Sequence, residues 1–149
     1  MGEMHFAQIP QRRVPKQAWP SGRRIKEERI SNPDNLWYGT KGGSETNDKV
    51  FLLSLEEVDR YFGDSGDYLN KRRKDPRGKN GKGGYYLSNG HDGKRKATHN
   101  GSAHWWWLRS PGIIGRTAAY VSYVGGVSVT GNFVSSAGGG VRPALWLNL

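Results

Sequence analysis

The sequence predicts one domain that mixes short β-strands with a single short helix, joined by long glycine-rich loops. Three observations predict it. Ser54-Leu55-Glu56-Glu57 is a helix start in which a hydroxyl and a carboxylate three residues on can cap each other's backbone. The last third, residues 102–149, opens on Trp105-Trp106-Trp107 and nears its end at Trp146, with an alternating Gly, Ser and Thr-rich segment between. Finally, 149 residues suit one domain, and with 34% hydrophobic residues and 22 glycines its core must lean on six tryptophans and seven tyrosines.

The elements follow in order. Residues 1–30 hold Pro10, Pro15, Pro20 and seven basic side chains, and read as a basic extended arm with a short helical turn near residues 25–30. Asn32-Pro33-Asp34-Asn35 is a turn signal, and Gly42-Gly43 a second. Residues 48–53 read as a strand, with Val50, Phe51, Leu52 and Leu53 buried on both faces. Ser54 then caps a helix that turns Leu55, Val58 and Phe62 to the core, leaves Glu56, Glu57, Asp59 and Arg60 to water, and stops at Gly63.

Residues 64–100 form a basic loop, with Tyr85-Tyr86-Leu87 packing down in its middle. Residues 105–109 are a strand broken by Ser110-Pro111-Gly112. Residues 118–124 alternate, Gly125-Gly126 turns the chain, and residues 127–129 return, which is a hairpin pattern. Gly131-Asn132 allows a further turn. Residues 141–147 close the fold, with Pro143 suiting an edge or a bulge. Strand alternation puts Ala119, Val121 and Tyr123 on one face and Tyr120, Ser122 and Val124 on the other. It also buries at least one of the three consecutive tryptophans.

Composition excludes several chemistries. The absence of cysteine rules out disulfides, thiolate metal sites and cysteine nucleophiles. There is no apolar run long enough to span a membrane and no apolar signal-peptide core at the N-terminus. His91, His99 and His104 lie eight and five residues apart, which fits no helical metal pair, and no His-Glu-x-x-His or Asp-x-Asp-x-Asp pattern occurs. No catalytic constellation is visible, so neither metal nor cofactor nor enzymatic activity is expected. Arg109 and Arg142 sit inside apolar strand motifs, where a guanidinium ties loop oxygens to the core.

Four segments share a resemblance: Asn32-Pro-Asp-Asn-Leu-Trp-Tyr-Gly-Thr, Asp48-Lys-Val-Phe-Leu-Leu-Ser-Leu-Glu-Glu-Val, Trp106-Trp-Leu-Arg-Ser-Pro-Gly and Gly140-Val-Arg-Pro-Ala-Leu. Together, over residues 31–149, they resemble a bacterial and phage domain family related to formylglycine-generating enzyme and the C-type lectin fold. That family includes variable binding proteins diversified by retroelements. The resemblance implies an α+β, C-type-lectin-like fold with a small twisted antiparallel sheet, one short capped helix and long loops. Residues 1–30 depart from the family pattern, as though the usual N-terminal part were missing or rebuilt. The related enzyme's activity is expected to need cysteines, which this chain lacks.

The same resemblance implies a recognition face between the Trp-Leu-Arg-Ser-Pro-Gly and Gly-Val-Arg-Pro-Ala motifs, over residues 113–137. Ile113, Ile114, Arg116, Thr117, Tyr123, Thr130, Asn132, Phe133, Ser135 and Ser136 are its candidates, a mixture of aromatic anchors and adaptable polar groups. The expected target is a cell-surface protein or glycan, and the expected location a phage particle or bacterial surface; the oligomeric state is left open. The alternative is a nucleic-acid-associated protein. Residues 71–99 carry ten basic and two acidic side chains, and Lys71, Arg72, Arg73, Lys74, Lys94, Arg95 and Lys96 would neutralise phosphates. The loop lacks the Lys-Ser/Thr ending of a phosphate-binding P-loop.

Overall fold

In this computed structural model residues 24–63 and 90–147 are described in full, together with the backbone of Glu3–Phe6 and Tyr86–Leu87. The N-terminal half supplies β1 (Glu3–Phe6), β2 (Ile25–Lys26), β3 (Glu28–Ile30), β4 (Thr46–Asp48), β5 (Phe51–Leu52) and the helix α1 (Leu55–Phe62). Then come β6 (Tyr86–Leu87), the one-turn helix α2 (Asp92–Arg95), β7 (Ala97–His99) and β8 (Ser102–His104). The last third gives β9 (Trp106–Pro111), β10 (Thr117–Val121), β11 (Val127–Phe133) and β12 (Pro143–Leu147). Small antiparallel sheets with few helices make this an α+β chain, as expected.

Two four-stranded sheets carry the fold. In one, β12 is flanked by β1 on one edge and by β2 and β5 on the other, all antiparallel. The other runs β6-β11-β10-β9, and β3-β4 and β7-β8 form separate two-stranded ribbons. The sheets meet where the Arg109 N–H donates to the Leu53 carbonyl at 3.0 Å, and where Trp107 N–H donates to Gly140 O at 3.0 Å while Gly140 N–H donates to Trp105 O at 2.9 Å. Between them lies the core of Phe51, Leu53, Leu55, Val58, Trp106, Leu108, Val121, Val129 and Ala144, all buried.

α1 forms as its cap dictates. Ser54 Oγ accepts the Glu57 N–H at 3.2 Å, and Glu57 Oε2 accepts the Ser54 N–H at 2.8 Å. Leu55 and Val58 are buried and Phe62 packs against the core. Asp59 corrects the expected polar face: it is buried, because α2 covers one flank of α1 while β9 covers another.

β9 alternates as expected, with Trp106, Leu108 and Ser110 buried and Trp107, Arg109 and Pro111 half-buried. It does not break at Ser110. That hydroxyl accepts the Leu55 N–H at 2.9 Å, joining strand to helix start, and the strand continues through Pro111. β10 turns Thr117, Ala119 and Val121 to the core and Tyr120 outward. It ends at Val121, earlier than predicted, so Tyr123 and Val124 sit in an exposed turn rather than on strand faces. Gly125 makes that turn with φ +93°, and a Cβ there would meet the Asp92 carbonyl oxygen at 1.8 Å.

β11 is longer than expected. Gly131-Asn132 lies within it, as part of a bulge rather than a turn. From Ala118 to Tyr120 the central strand advances two residues, whereas β11 advances from Ser128 to Asn132 and β9 from Trp107 to Pro111. Both neighbours therefore bulge beside Ala119, which bends the far end of the sheet.

Other expectations shift for tertiary reasons. The predicted helical turn near residues 25–30 is instead β2 and β3, because the edge of β12 and the strand β4 offer backbone partners there. Residues 48–53 split into the end of β4 and β5, and Val50 between them is exposed. The Asn32 turn moves to residues 36–38, where the Gly39 N–H donates to Asn35 O at 2.7 Å. Pro143 opens a central strand, at its first position, where the missing N–H costs nothing.

Candidate functional site

The bent end of the β9-β10-β11 sheet gathers most of the predicted face. The Ile113 N–H donates to Thr130 O at 2.8 Å, and the Val134 N–H donates to Arg116 O at 3.1 Å, so the 112–116 connection lies beside the end of β11. The Arg116 guanidinium sits 5.6 Å from the Phe133 ring centroid. Ile113, Ile114, Phe133 and Val134 are all exposed, by 41%, 40%, 49% and 64%, which makes this a cluster of large apolar side chains facing water. Asn132, Ser135 and Ser136 surround it. Asn132 Oδ1 accepts the Phe133 N–H at 2.9 Å, and the Ser136 N–H donates to Phe133 O at 2.9 Å.

Three predicted residues stand apart from the cluster. Thr117 is buried, and its hydroxyl donates to Ile114 O at 2.8 Å, so it shapes the loop from within. Thr130 is half-buried and shares a 3.0 Å hydrogen bond with the Tyr38 hydroxyl. Tyr123 is 62% exposed at the opposite end of β10, which its five residues put about 17 Å away. Val134 was not among the candidates, although it follows Phe133 directly.

Asn35 holds this end of the sheet from below and was read as no more than a turn residue. Fully buried, its Nδ2 donates to Pro111 O and Val129 O, each at 2.9 Å. Its Oδ1 accepts the Trp37 N–H at 2.9 Å. One side chain thus joins the 36–38 turn, the end of β9 and the bulge of β11, directly under the residues that carry Ile113.

A cleft lies elsewhere on the domain. The β7-β8 hairpin, Trp105 and residues 137–142 enclose a cleft of about 590 Å³. The hairpin turns at Asn100 (φ 50°) and Gly101 (φ 79°). This Asn-Gly pair between short strands is the sequence signal that could have revealed it.

The sequence signature of DUF6273, a domain of unknown function, matches residues 22–149. The chain belongs to the DUF6273 family. Both the exposed cluster and the cleft lie within the matched span of this DUF6273 domain. No curated protein and no solved structure matches the chain.

Arg109 in β9 and Arg142, just before β12, are both tied into the DUF6273 domain and half-buried. Arg109 pairs with Glu57 and donates to Leu52 O at 2.7 Å and Ser31 O at 3.1 Å, so the helix cap and β9 share one carboxylate. Arg142 lies 4.8 Å from the Phe62 ring centroid and 5.0 Å from that of Trp106, and burial lowers its pKa from the ordinary guanidinium value. Lys71, Arg72, Arg73 and Lys74 lie outside the described residues. In the second basic run Lys94 and Lys96 are exposed. Arg95 is buried, pairing with Asp92 and donating to Gly125 O at 2.7 Å, so its charge braces α2 against the β10-β11 turn. Among the described residues no group of three His, Asp or Glu stands ready to hold a metal ion, and no helix is long and apolar enough to cross a membrane.

Proposed function

We propose that this DUF6273 domain is a non-catalytic binding module on a C-type-lectin-like scaffold, and that the bent end of its β9-β10-β11 sheet recognises a protein on a cell surface. The observation that carries this is the exposed cluster of Ile113, Ile114, Phe133 and Val134 with Arg116 stacked on it. Clustered apolar side chains with an arginine and a ring of serines and amide have the make-up of an interface centre and rim. Isoleucine and valine bury well against another protein's apolar surface and offer little to the hydroxyls of a glycan. The face supplies no base to activate the Ser135 or Ser136 hydroxyl, so the reading is one of binding rather than catalysis. The same reading places the domain among retroelement-diversified binding proteins of a phage particle or bacterial surface. It supports Ile113, Ile114, Arg116, Asn132, Phe133, Ser135 and Ser136 as contacts, adds Val134, and gives Thr117 and Tyr123 no part.

The test is the combined change Arg116→Ala, Phe133→Ala and Val134→Ala. Loss of a hot-spot centre is expected to weaken target binding at least about 30-fold. These side chains are exposed, so the melting temperature should move by no more than about 3 °C. Undiminished binding by the folded triple variant would remove this face from the account.

A further inference from the structure

We infer that the cleft between the β7-β8 hairpin and residues 137–142 binds a small neutral ring molecule whose rim both donates and accepts hydrogen bonds. This stands apart from the protein-recognition face, since the two share no residue.

The cleft is preformed. At about 590 Å³ it falls in the range of small-molecule sites. One wall is the hairpin, turned tightly at Asn100-Gly101; the other is tied to β9 by the hydrogen bonds of Gly140 with Trp105 and Trp107. That second wall is built on Gly138-Gly139-Gly140, so bare backbone borders the space and leaves it open. Its apolar surface is the half-buried Trp105 indole, which lines the cleft. Trp107 and Tyr120 brace that indole edge to face, at 4.8 and 5.2 Å between centroids. A ring that packs against it meets an aromatic side chain already held in place.

The polar surface mixes acceptors with donors. His104 Nδ1 lies 2.9 Å from Trp105 O. A carbonyl only accepts, so Nδ1 carries the hydrogen and Nε2 is an acceptor. Asn100 Nδ2 lies 3.3 Å from His99 Nε2. An amide nitrogen only donates, so His99 accepts there and keeps its hydrogen on Nδ1, while Asn100 Oδ1 remains an acceptor. The two imidazoles are neighbours on the hairpin, with ring centroids 6.0 Å apart, so the rim of one small ring spans both. A hydroxyl, or a ring carbonyl beside a ring N–H, answers such a mixed set; a carboxylate, which only accepts, does not. No charge is left over to select an ion. No residue lining the cleft is acidic. Its one arginine, Arg142, is engaged inside the fold, 4.8 Å from the Phe62 and 5.0 Å from the Trp106 ring centroid, with Nη1 donating to Arg95 O at 3.5 Å.

Two sources share this chemistry: a sugar ring and a nucleobase. The full chain is titrated with D-glucose and with uracil, following the tryptophan indole resonances by NMR. Tetrahydropyran and pyrimidine serve as counterparts, the same rings without the hydroxyls or the carbonyl and N–H groups. D-glucose or uracil is expected to shift the Trp105 indole saturably and to bind at least about tenfold more tightly than its counterpart. Whichever does so identifies the source. At Gly138 a Cβ would meet Trp105 Cζ2 at an ordinary 3.8 Å. Gly138→Leu is therefore expected to fill the cleft and cut that affinity at least about tenfold, with the melting temperature held within about 3 °C. His99→Phe combined with Asn100→Gly, which keeps the left-handed turn, is expected to erase the preference over the counterpart. The Arg116, Phe133, Val134 triple variant is expected to keep the binding, so this inference and the proposed function fail separately. No saturation by either probe below about 20 mM, or undiminished binding in Gly138→Leu, overturns the site. Equal binding of probe and counterpart, or a preference that survives the His99, Asn100 double change, overturns the hydrogen-bonding rim. D-glucuronate binding at least about tenfold more tightly than D-glucose overturns the neutral ligand.

Discussion

Removing the Asn35 carboxamide should cost this domain more than any other single polar change at the bent end of the sheet. Asn35→Ala deletes three short hydrogen bonds, to Pro111 O, Val129 O and from Trp37 N–H, each 2.9 Å. A buried hydrogen bond contributes about 1 kcal/mol net, and each partner left unpaired in the interior costs about 1–3 kcal/mol. The Asn35 side chain is 0% exposed, so water cannot take its place without a rearrangement. The expected loss is about 3–5 kcal/mol, or about 10 °C in melting temperature for a chain of this size. Urea denaturation followed by tryptophan fluorescence measures it. Asn32→Ala is the control: its Nδ2 makes a 2.6 Å bond to Ser44 O at the surface, and the change should cost less than about 1 kcal/mol. Amide hydrogen exchange in residues 111–117 should also quicken in Asn35→Ala, because the loop loses its anchor. A loss below about 1 kcal/mol for Asn35→Ala would refute the idea that this side chain organises the site.

Other perturbations test the remaining supports. Ser54→Ala should lower stability by about 1 kcal/mol, the usual worth of an N-cap hydroxyl. Glu57→Ala should cost about 2 kcal/mol or more, because the same carboxylate serves the cap and the partly buried Arg109; both are read from urea midpoints. Gly139→Ala should destabilise by about 1–3 kcal/mol and shift the Trp105 and Trp107 indole resonances, since its methyl overlaps both rings. The Lys41 ammonium and the Gly42 N–H, at 2.7 and 3.0 Å, hold the Asp34 carboxyl below the usual carboxylate range. That contribution is present above the unfolded value, near pH 4, and is lost as pH falls through the lowered folded value. The 34–42 loop should therefore loosen in acid in the native chain but show no such acid step in Asp34→Asn, seen in the Gly42 amide resonance.

The parts legible in the sequence are those whose causes are local. The capping box needs only residues 54 and 57, and the helix begins where they place it. Alternation needs only the next residue; it asked for at least one buried tryptophan, and Trp106 is the one that β9 turns inward. What escaped depends on residues far apart in the chain. Asn35 has the composition of a turn residue, but its partners lie 76 and 94 positions away. Asp59 and Arg95 read as solvated charges until α1 and α2 are packed together. Most residues of the expected face come together because their loops are joined by the predicted strands. Tyr123 fell away because β10 ends three residues earlier than its alternation suggests. The cleft depends on residues 137–142 meeting the 97–104 hairpin across the length of β9, β10 and β11.

The central claim is that this domain works by binding a protein through an apolar face rather than a nucleic acid through a basic loop. Incubating the purified chain on one array of cell-surface proteins, glycans and nucleic acids, at about 50 and about 200 mM salt, tests it most directly. The account predicts a discrete protein signal that survives the higher salt and is lost in the Arg116, Phe133, Val134 triple variant. Signal confined to nucleic acids, collapsing at the higher salt and unchanged in that variant, would contradict it.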